Sequence, residues 1–210
     1  MPEERKSLEL FAGSCSFSKQ AEIFNCKTFK IDWENFHNID LVMDIEFLKT
    51  DDVPFVPDIL WASPDCTTFS IAAISKHRNG VVPKSDYAKK CDRVNMNMLK
   101  IIDQLLEKNP NMIFFIENPR GMLRKMPYMK NLQRHTIWYC QYGDDRAKPT
   151  DIWTNCDNWK PRPVCKNGNR ECHHQPAPRG SRTGTQGKKN SYEASKIPKE
   201  LFIDIFKSIN

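Results

Sequence analysis

Cys66 is the residue around which chemistry can be built. It follows an apolar run, Ile59-Leu60-Trp61-Ala62, and the turn Ser63-Pro64-Asp65. The run reads as a buried strand and the turn as its end. Open α/β sheets do their chemistry beyond the carboxyl ends of the strands, so Cys66 stands where a nucleophile would stand. A buried structural thiol fits the same stretch, because free cysteine is among the most buried residue types. Glu117 is placed in a similar way. It ends the apolar run Met112–Ile116 and precedes Asn118-Pro119. A carboxyl there loses hydration and its pKa should rise, which suits a group that donates a proton or a hydrogen bond. Three earlier strand ends carry Gly13, Asp32 and Asp44. A glycine turn before a helix presents backbone N–H groups, and an acidic residue about 20 positions later is where nucleotide-binding sheets grip a ribose. Trp33, next to Asp32, could cover an adenine ring; an exposed carboxylate beside a core tryptophan is the plain alternative. The full G-x-G-x-x-G of a dinucleotide site is missing.

Such residues need a scaffold of strands in sequence. Ser7–Phe11, Thr28–Ile31, Ile39–Met43, Ile59–Ala62 and Met112–Ile116 read as strands. Ser18–Phe24 reads as a helix. Ser85–Lys108 reads as a longer one, with Tyr87, Cys91, Val94, Met98, Ile101, Ile102 and Leu105 at helical spacing. A short helix broken at Pro127 is expected over Met122–Leu132. His135–Cys140 and Thr150–Trp153, joined by the compact link Tyr142–Pro149, predict an antiparallel hairpin. The polar stretch Lys76–Asp86 beside Cys66 reads as a lid or as a plain surface loop. Ile197–Ile209 is a closing amphipathic helix, with Pro198 near its start. Together these elements predict an α/β fold, a mostly parallel sheet with an antiparallel C-terminal hairpin.

The chain has 210 residues, 39% hydrophobic, enough for one substantial domain with a real core. Residues 1–155 form the expected main domain, 156–195 a small appendage and 196–210 the helix that packs back on it. No run approaches the roughly 18 apolar residues of a membrane span, and Met1–Lys6 has no apolar core, so a signal peptide is not expected. Lys and Arg exceed Asp and Glu by 32 to 26, a mild positive charge compatible with a polyanionic partner. Eight cysteines without a secretion signal argue for reduced thiols and a cytoplasmic protein. The tract from Asn155 to about Ala194 is poor in apolar residues and rich in Pro, Gly and basic residues. Cys156, Cys165, Cys172 and His173 there could hold a structural zinc ion; free thiols in a loop that orders on nucleic acid are the other reading. The basic stretch Arg179–Gln186 could track a phosphate backbone.

The order of the strand-end residues resembles the motifs of the DNA (cytosine-5) methyltransferases. Leu10-Phe-Ala-Gly13, Asp32-Trp33, Asp44-Ile45, Cys66-Thr-Thr-Phe-Ser70, Glu117-Asn118 and Arg146-x-Lys148 appear in the family's order, across about Ser7 to Asn155. Compact phage-encoded members are the nearest likeness, in the cytoplasm of a bacterium or a phage-infected host, where restriction–modification is one role. The resemblance implies a Rossmann-like S-adenosylmethionine-dependent methyltransferase fold. Phe11 and Gly13, with Ser63 and Pro64, would line the S-adenosylmethionine pocket. Asp32 would hold the ribose and Trp33 the adenine, while Asp44 would contact the adenine amino group and Ile45 would lie beside the ring. Cys66 would be the nucleophile, Glu117 would bond the polar edge of a cytosine flipped out of double-stranded DNA, and Arg146 and Lys148 would reach the same base or the nearby backbone. In three places the chain departs from the family pattern. The arginine motif has Asp144-Asp145 where the family usually opens with glutamine, and Lys148, without arginine's planar fork, where the family has a second arginine. Pro64 lies one position early, leaving Asp65 beside the thiol, where a carboxylate opposes thiolate formation unless it points away. A large target-recognition region is replaced by Cys156–Ser195. The same scaffold acting on RNA or nucleotides, or a nucleic-acid binder without catalysis, are the rival readings.

Overall fold

The computed structural model describes residues 4–176 and 191–209. In chain order its elements are β1 (Arg5–Leu10), α1 (Ser16–Ile23), β2 (Cys26–Asp32), β3 (Leu41–Val42), β4 (Ile59–Ala62), α2 (Ile74–His77), β5 (Arg78–Asn79), β6 (Val82–Pro83), α3 (Asp86–Lys108), β7 (Ile113–Pro119), β8 (Arg134–Trp138), β9 (Pro149–Thr154), α4 (Ser191–Ser195) and α5 (Lys199–Ile209). Seven strands form one sheet in the order β3-β2-β1-β4-β7-β9-β8. All neighbouring pairs through β7 are parallel; β9 runs antiparallel to both β7 and β8. This is the mostly parallel sheet with an antiparallel hairpin expected from the sequence. The hairpin inserts its second strand against β7, so β9 separates β8 from the rest.

Both faces of the sheet are covered, which is why β4 is apolar at every position. Leu60 and Ala62 join Phe114, Ile116 and the Met98, Ile101, Ile102 and Leu105 face of α3 in one core. Ile59 and Trp61 point the other way, into a core with Phe115, Phe17 of α1, and Phe202 and Phe206 of α5. The period-2 alternation of a strand sorts these side chains. Rings of Phe17, Trp61, Phe202 and Phe206 meet at 4.7–5.8 Å between centroids, locking α5 to the sheet.

Several predicted elements are shorter or different. The third strand keeps only Leu41–Val42, because Asn38 adopts a left-handed φ of 69° and Asp40 turns its carboxylate onto the Lys30 amide. Met122–Leu132 forms two single 3₁₀ turns, Leu123–Lys125 and Pro127–Met129, since Pro127 cannot continue a helix. The strand expected over His135–Cys140 ends at Trp138, and Tyr139–Tyr142 is a 3₁₀ turn. The stretch Lys76–Asp86 is no free lid at its base: it contains the β5–β6 hairpin, and its Arg78 is buried. Within residues 156–176, Arg162 ties the segment to α5 through Glu200 and Asp204 at 2.7–2.9 Å. Arg179–Gln186 lies outside the described residues. Among those described, no helix is long and apolar enough to cross a membrane.

Candidate active site at the switch point of the sheet

Strand order reverses between β1 and β4: the chain leaves β1 toward β2 and β3, and leaves β4 toward β7. Ligands of open α/β sheets sit in the crevice at such a point. Two turns flank it, one after β1 and one after β4. In the first, Phe11, Gly13 and Cys15 all have positive φ, 58°, 46° and 54°. Gly13 accepts this freely; at Phe11 and Cys15 it stores strain, of order 1–3 kcal/mol each. The Gly13 N–H donates to Asp32 Oδ2 at 2.9 Å and the Glu34 N–H to Oδ1 at 3.0 Å. Burial raises the Asp32 pKa against these two bonds. Each oxygen keeps a second lone pair for a hydroxyl donor. Trp33 beside it is 66% exposed, an indole standing in the open next to a buried carboxylate.

The third strand end is committed to the fold's own contacts. Asp44 Oδ2 lies 2.7 Å from Lys90 Nζ, and Oδ1 accepts from the Glu46 N–H at 3.0 Å. Burial alone would raise the Asp44 carboxyl, yet the Lys90 and Glu46 bonds hold it below the usual range. Ile45 is 1% exposed and packs in the α3-side core, so its side chain offers no surface to a ring.

In the second turn, the Ser63 N–H donates to Leu10 O at 3.4 Å and Ser63 Oγ accepts from Trp61 Nε1 at 2.7 Å. Pro64 O accepts from Asn118 Nδ2 at 2.8 Å, a buried bond that ties the end of β7 to the cysteine turn. Asp65 precedes the next 3₁₀ turn, Thr67–Phe69, and folds back over Cys66, accepting from the Thr67 N–H at 2.8 Å and Oγ1 at 2.7 Å; it also accepts from the Tyr87 hydroxyl. Its carboxylate is thus used in building the turn. Arg78 supports the turn: it donates to Thr68 O at 3.0 Å and Oγ1 at 3.1 Å while forking onto Asp92. Cys66 is half-buried. Burial pushes its thiol up to about 11; the Lys148 ammonium opposes this, and the Asp65 and Glu117 carboxylates add to it.

Glu117 is fully enclosed at the end of β7. Burial raises its pKa, against Lys148, the Tyr139 hydrogen bond and Arg146. Tyr139 donates to Oε1 at 2.7 Å, which leaves Oε2 to carry a proton. Lys148 holds its ammonium 4.6 Å from the centre of the Tyr139 ring. Arg146 is also buried, and its guanidinium binds both oxygens of Asp144 at 2.6–2.8 Å and Lys196 O at 3.3 Å. Cys66, Glu117 and Lys148 therefore share one electrostatic environment, while Arg146 braces the link that carries Lys148.

The tract of cysteines and histidines is rearranged relative to its sequence reading. Cys165 and Cys172 do come together, but with Cys140 and His174; the four ligand atoms lie within 4.8 Å of one another. Cys156 is instead buried in the α5-side core, and His173 Nε2 lies 3.1 Å from Asp144 O.

Five residues here escape a reading of the sequence, His174 as the partner of the cysteines among them. Tyr139 and Cys140 sit in an ordinary-looking strand end. Gly121 packs so tightly that an added Cβ would lie 2.5 Å from Phe69 O. Glu9, buried in β1, accepts from the N–H groups of Phe17 and Ser18 at 3.2 and 2.9 Å, at the start of α1. The only available signal was a charge inside the apolar run Leu8-Glu9-Leu10.

No family model matches the chain. A curated relative, named a probable DNA (cytosine-5)-methyltransferase of Frog virus 3 (isolate Goorha), is 27% identical over 160 residues, 74% of this chain and 72% of the relative. The solved S. pombe Dnmt2 methyltransferase shares the fold, with a TM-score of 0.52 and 16% identity over 72% of this chain. This chain spans 49% of that structure's length. The resemblance drawn from the strand-end motifs is borne out by the viral relative, and the Rossmann-like fold by the yeast structure.

Proposed function

We propose that this chain, a relative of the DNA (cytosine-5) methyltransferases, transfers a methyl group from S-adenosylmethionine to carbon 5 of cytosine in DNA by way of a covalent bond to Cys66. The observation that carries the proposal is the convergence of Cys66 and Glu117. They end neighbouring strands, are tied by the Asn118–Pro64 bond, and feel the same Lys148 cation.

The first turn and its neighbours fit the cofactor on this chain's own features: the left-handed backbone at Phe11 and Gly13, the lone pairs left on Asp32, and the open face of Trp33. Asp32 would hold the ribose, Trp33 the adenine, and Phe11 and Gly13 with Ser63 and Pro64 the rest of the pocket wall. When bound, S-adenosylmethionine supplies the electrophilic methyl group that carbon 5 accepts.

Carbon 5 of cytosine is a poor nucleophile until a thiolate adds at carbon 6, which splits one hard step into easier ones. Lys148 favours the Cys66 thiolate, and a proton on Glu117 removes one of the two carboxylate charges that oppose it. Glu117 Oε2 is the oxygen free to give a proton to N3 as sulfur bonds to carbon 6. The electron pair from the broken carbon 5–carbon 6 double bond then resides on carbon 5, which would take the methyl group as its bond to the sulfonium sulfur breaks, with S-adenosylhomocysteine as the leaving group. A base removes the carbon 5 proton, the carbon–sulfur bond breaks, the double bond re-forms, and N3 returns its proton. Cys66 leaves as the thiolate that began the cycle. The base must leave the duplex to reach Cys66, at a cost of a few kcal/mol in unstacking.

Methyl transfer to duplex DNA, single-stranded RNA and deoxycytidine nucleotides tests the substrate. Label in DNA at carbon 5 of cytosine is expected; label only in RNA or only in nucleotides would overturn the DNA assignment.

A further inference from the structure

Cys140, Cys165, Cys172 and His174 come from two distant parts of the chain. Cys140 lies in the 3₁₀ turn after β8; the others lie in the segment that follows β9. Three sulfurs and one imidazole nitrogen are gathered within 4.8 Å. A tetrahedral ion with metal–sulfur bonds of about 2.3 Å sets its sulfurs about 3.8 Å apart, so the donors need to close by only about 1 Å. Three of the four residues are buried, and all three cysteines are free thiols.

The surroundings are built for thiolate charge. The Gln141 side-chain amide donates to Cys140 Sγ at 3.9 Å and Cys172 Sγ at 3.7 Å, and the Asn169 amide donates to Cys165 Sγ at 3.8 Å. Each sulfur thus has an outer N–H donor, as metal-bound thiolates usually do. His174 Nδ1 is 3.8 Å from Cys165 Sγ. Its Nε2 accepts from the Gly168 N–H at 3.2 Å; binding through Nδ1 puts the ring proton on Nε2, so this contact rearranges on loading. Beyond Arg162 and Trp159, the segment has little else to hold it. Val164 is 73% exposed, and Trp159 is its one large buried side chain among the described residues. So short and polar a stretch needs a staple.

We infer that these four residues hold a single structural zinc ion, which clamps the segment of residues 156–176 onto the turn following β8. Three thiolates and an imidazole suit zinc better than a hard cation. The clamp adjoins the catalytic region. Tyr139, the partner of Glu117, precedes Cys140 in the same turn, and the Gln175 N–H donates to Asp145 O at 2.9 Å, beside Arg146. The ion takes no part in the chemistry, and the inference stands whether or not the proposed reaction is right.

Elemental analysis of the wild-type chain purified under reducing conditions should find one zinc per chain. Cobalt(II) loaded in its place should show the intense visible bands of a tetrahedral thiolate site. Cys140→Ser and His174→Ala should each lose the ion; Cys156→Ser and His173→Ala should keep it. Wild type that carries no zinc and takes up no cobalt would overturn the inference, with no dependence on how a variant folds. So would iron in place of zinc, a disulfide among the three cysteines, or a loss of metal in Cys156→Ser or His173→Ala with retention in Cys140→Ser.

Discussion

Asp65 spends its carboxylate on the Thr67 amide and hydroxyl and on Tyr87, so it shapes the turn while raising the cost of the neighbouring thiolate. Asp65→Asn keeps an acceptor for Thr67 and removes the charge. The Cys66 thiol should then fall below about 11, seen as faster alkylation by iodoacetamide at a fixed alkaline pH; an unchanged pH profile would refute the charge effect. Glu117→Gln cannot transfer a proton and should lower kcat by roughly 10²–10⁴-fold with KM little changed. In the proposed reaction Glu117 acts in its protonated form, so the rate should fall as pH rises through its pKa. Tyr139 stabilises the charged form, hence Tyr139→Phe should move that alkaline limb to higher pH; a shift to lower pH would contradict the assignment. The positions of Cys66, Glu117 and Asp32 in the fold were legible because Asp32 and Glu117 lie at the carboxyl ends of apolar strands and Cys66 follows the turn that closes one. Tyr139 was not, because its contact with Glu117 depends on a turn that sequence patterning reads as more strand. Cys140 and His174 were missed for a related reason: Cys140 belongs to the main domain in sequence and meets the others only after folding.

At two points the packing of strands and turns depends on a single residue. Glu9 is one, with its pKa pushed from 4.5 to about 7, mainly by burial. Below pH 4.5 both folded and unfolded chains carry the proton, and its contribution to stability is fully present; it is lost as pH rises through about 7. Urea midpoints should therefore decline across that window, and Glu9→Gln should remove this part of the slope; an identical slope in the variant would count against it. Gly121 is another such point, where the chain after β7 crosses Phe69 of the cysteine turn. Gly121→Ala forces Cβ onto a backbone oxygen and should cost about 1–3 kcal/mol in urea unfolding, with a loss of methyl transfer because the Cys66 turn must move. The bounds of β4 and α3 were readable almost to the residue, from an unbroken apolar run and from helical spacing with Ser85 capping the helix through the Ala88 N–H. The placement of β9 between β7 and β8 was not, because pairing partners are a non-local choice that local periodicity leaves open.

On the scale of the molecule, a sheet covered on both faces brings the two loop sets to one crevice, with the glycine turn after β1 and the cysteine turn after β4 on either side of the switch point. The chain's net charge of +6 suits a polyanion, so duplex DNA binding should weaken steeply as salt is raised; salt-independent binding would argue against phosphate contacts. The segment of residues 156–176 is joined to the main body through Arg162, Trp159 and the cysteine cluster. Its separation by composition was visible in the sequence, but its anchoring was not, because the anchors are single residues that meet α5, β7, β8 and the turn after β8. The most direct measurement is covalent trapping on duplex DNA containing C5-fluorinated cytosine in the presence of S-adenosylmethionine. The wild-type chain should form a denaturation-resistant adduct, and Cys66→Ser should form none. An adduct that persists in Cys66→Ser, or DNA binding by the cofactor-loaded wild type with no adduct at all, would contradict the assignment of Cys66 as the nucleophile.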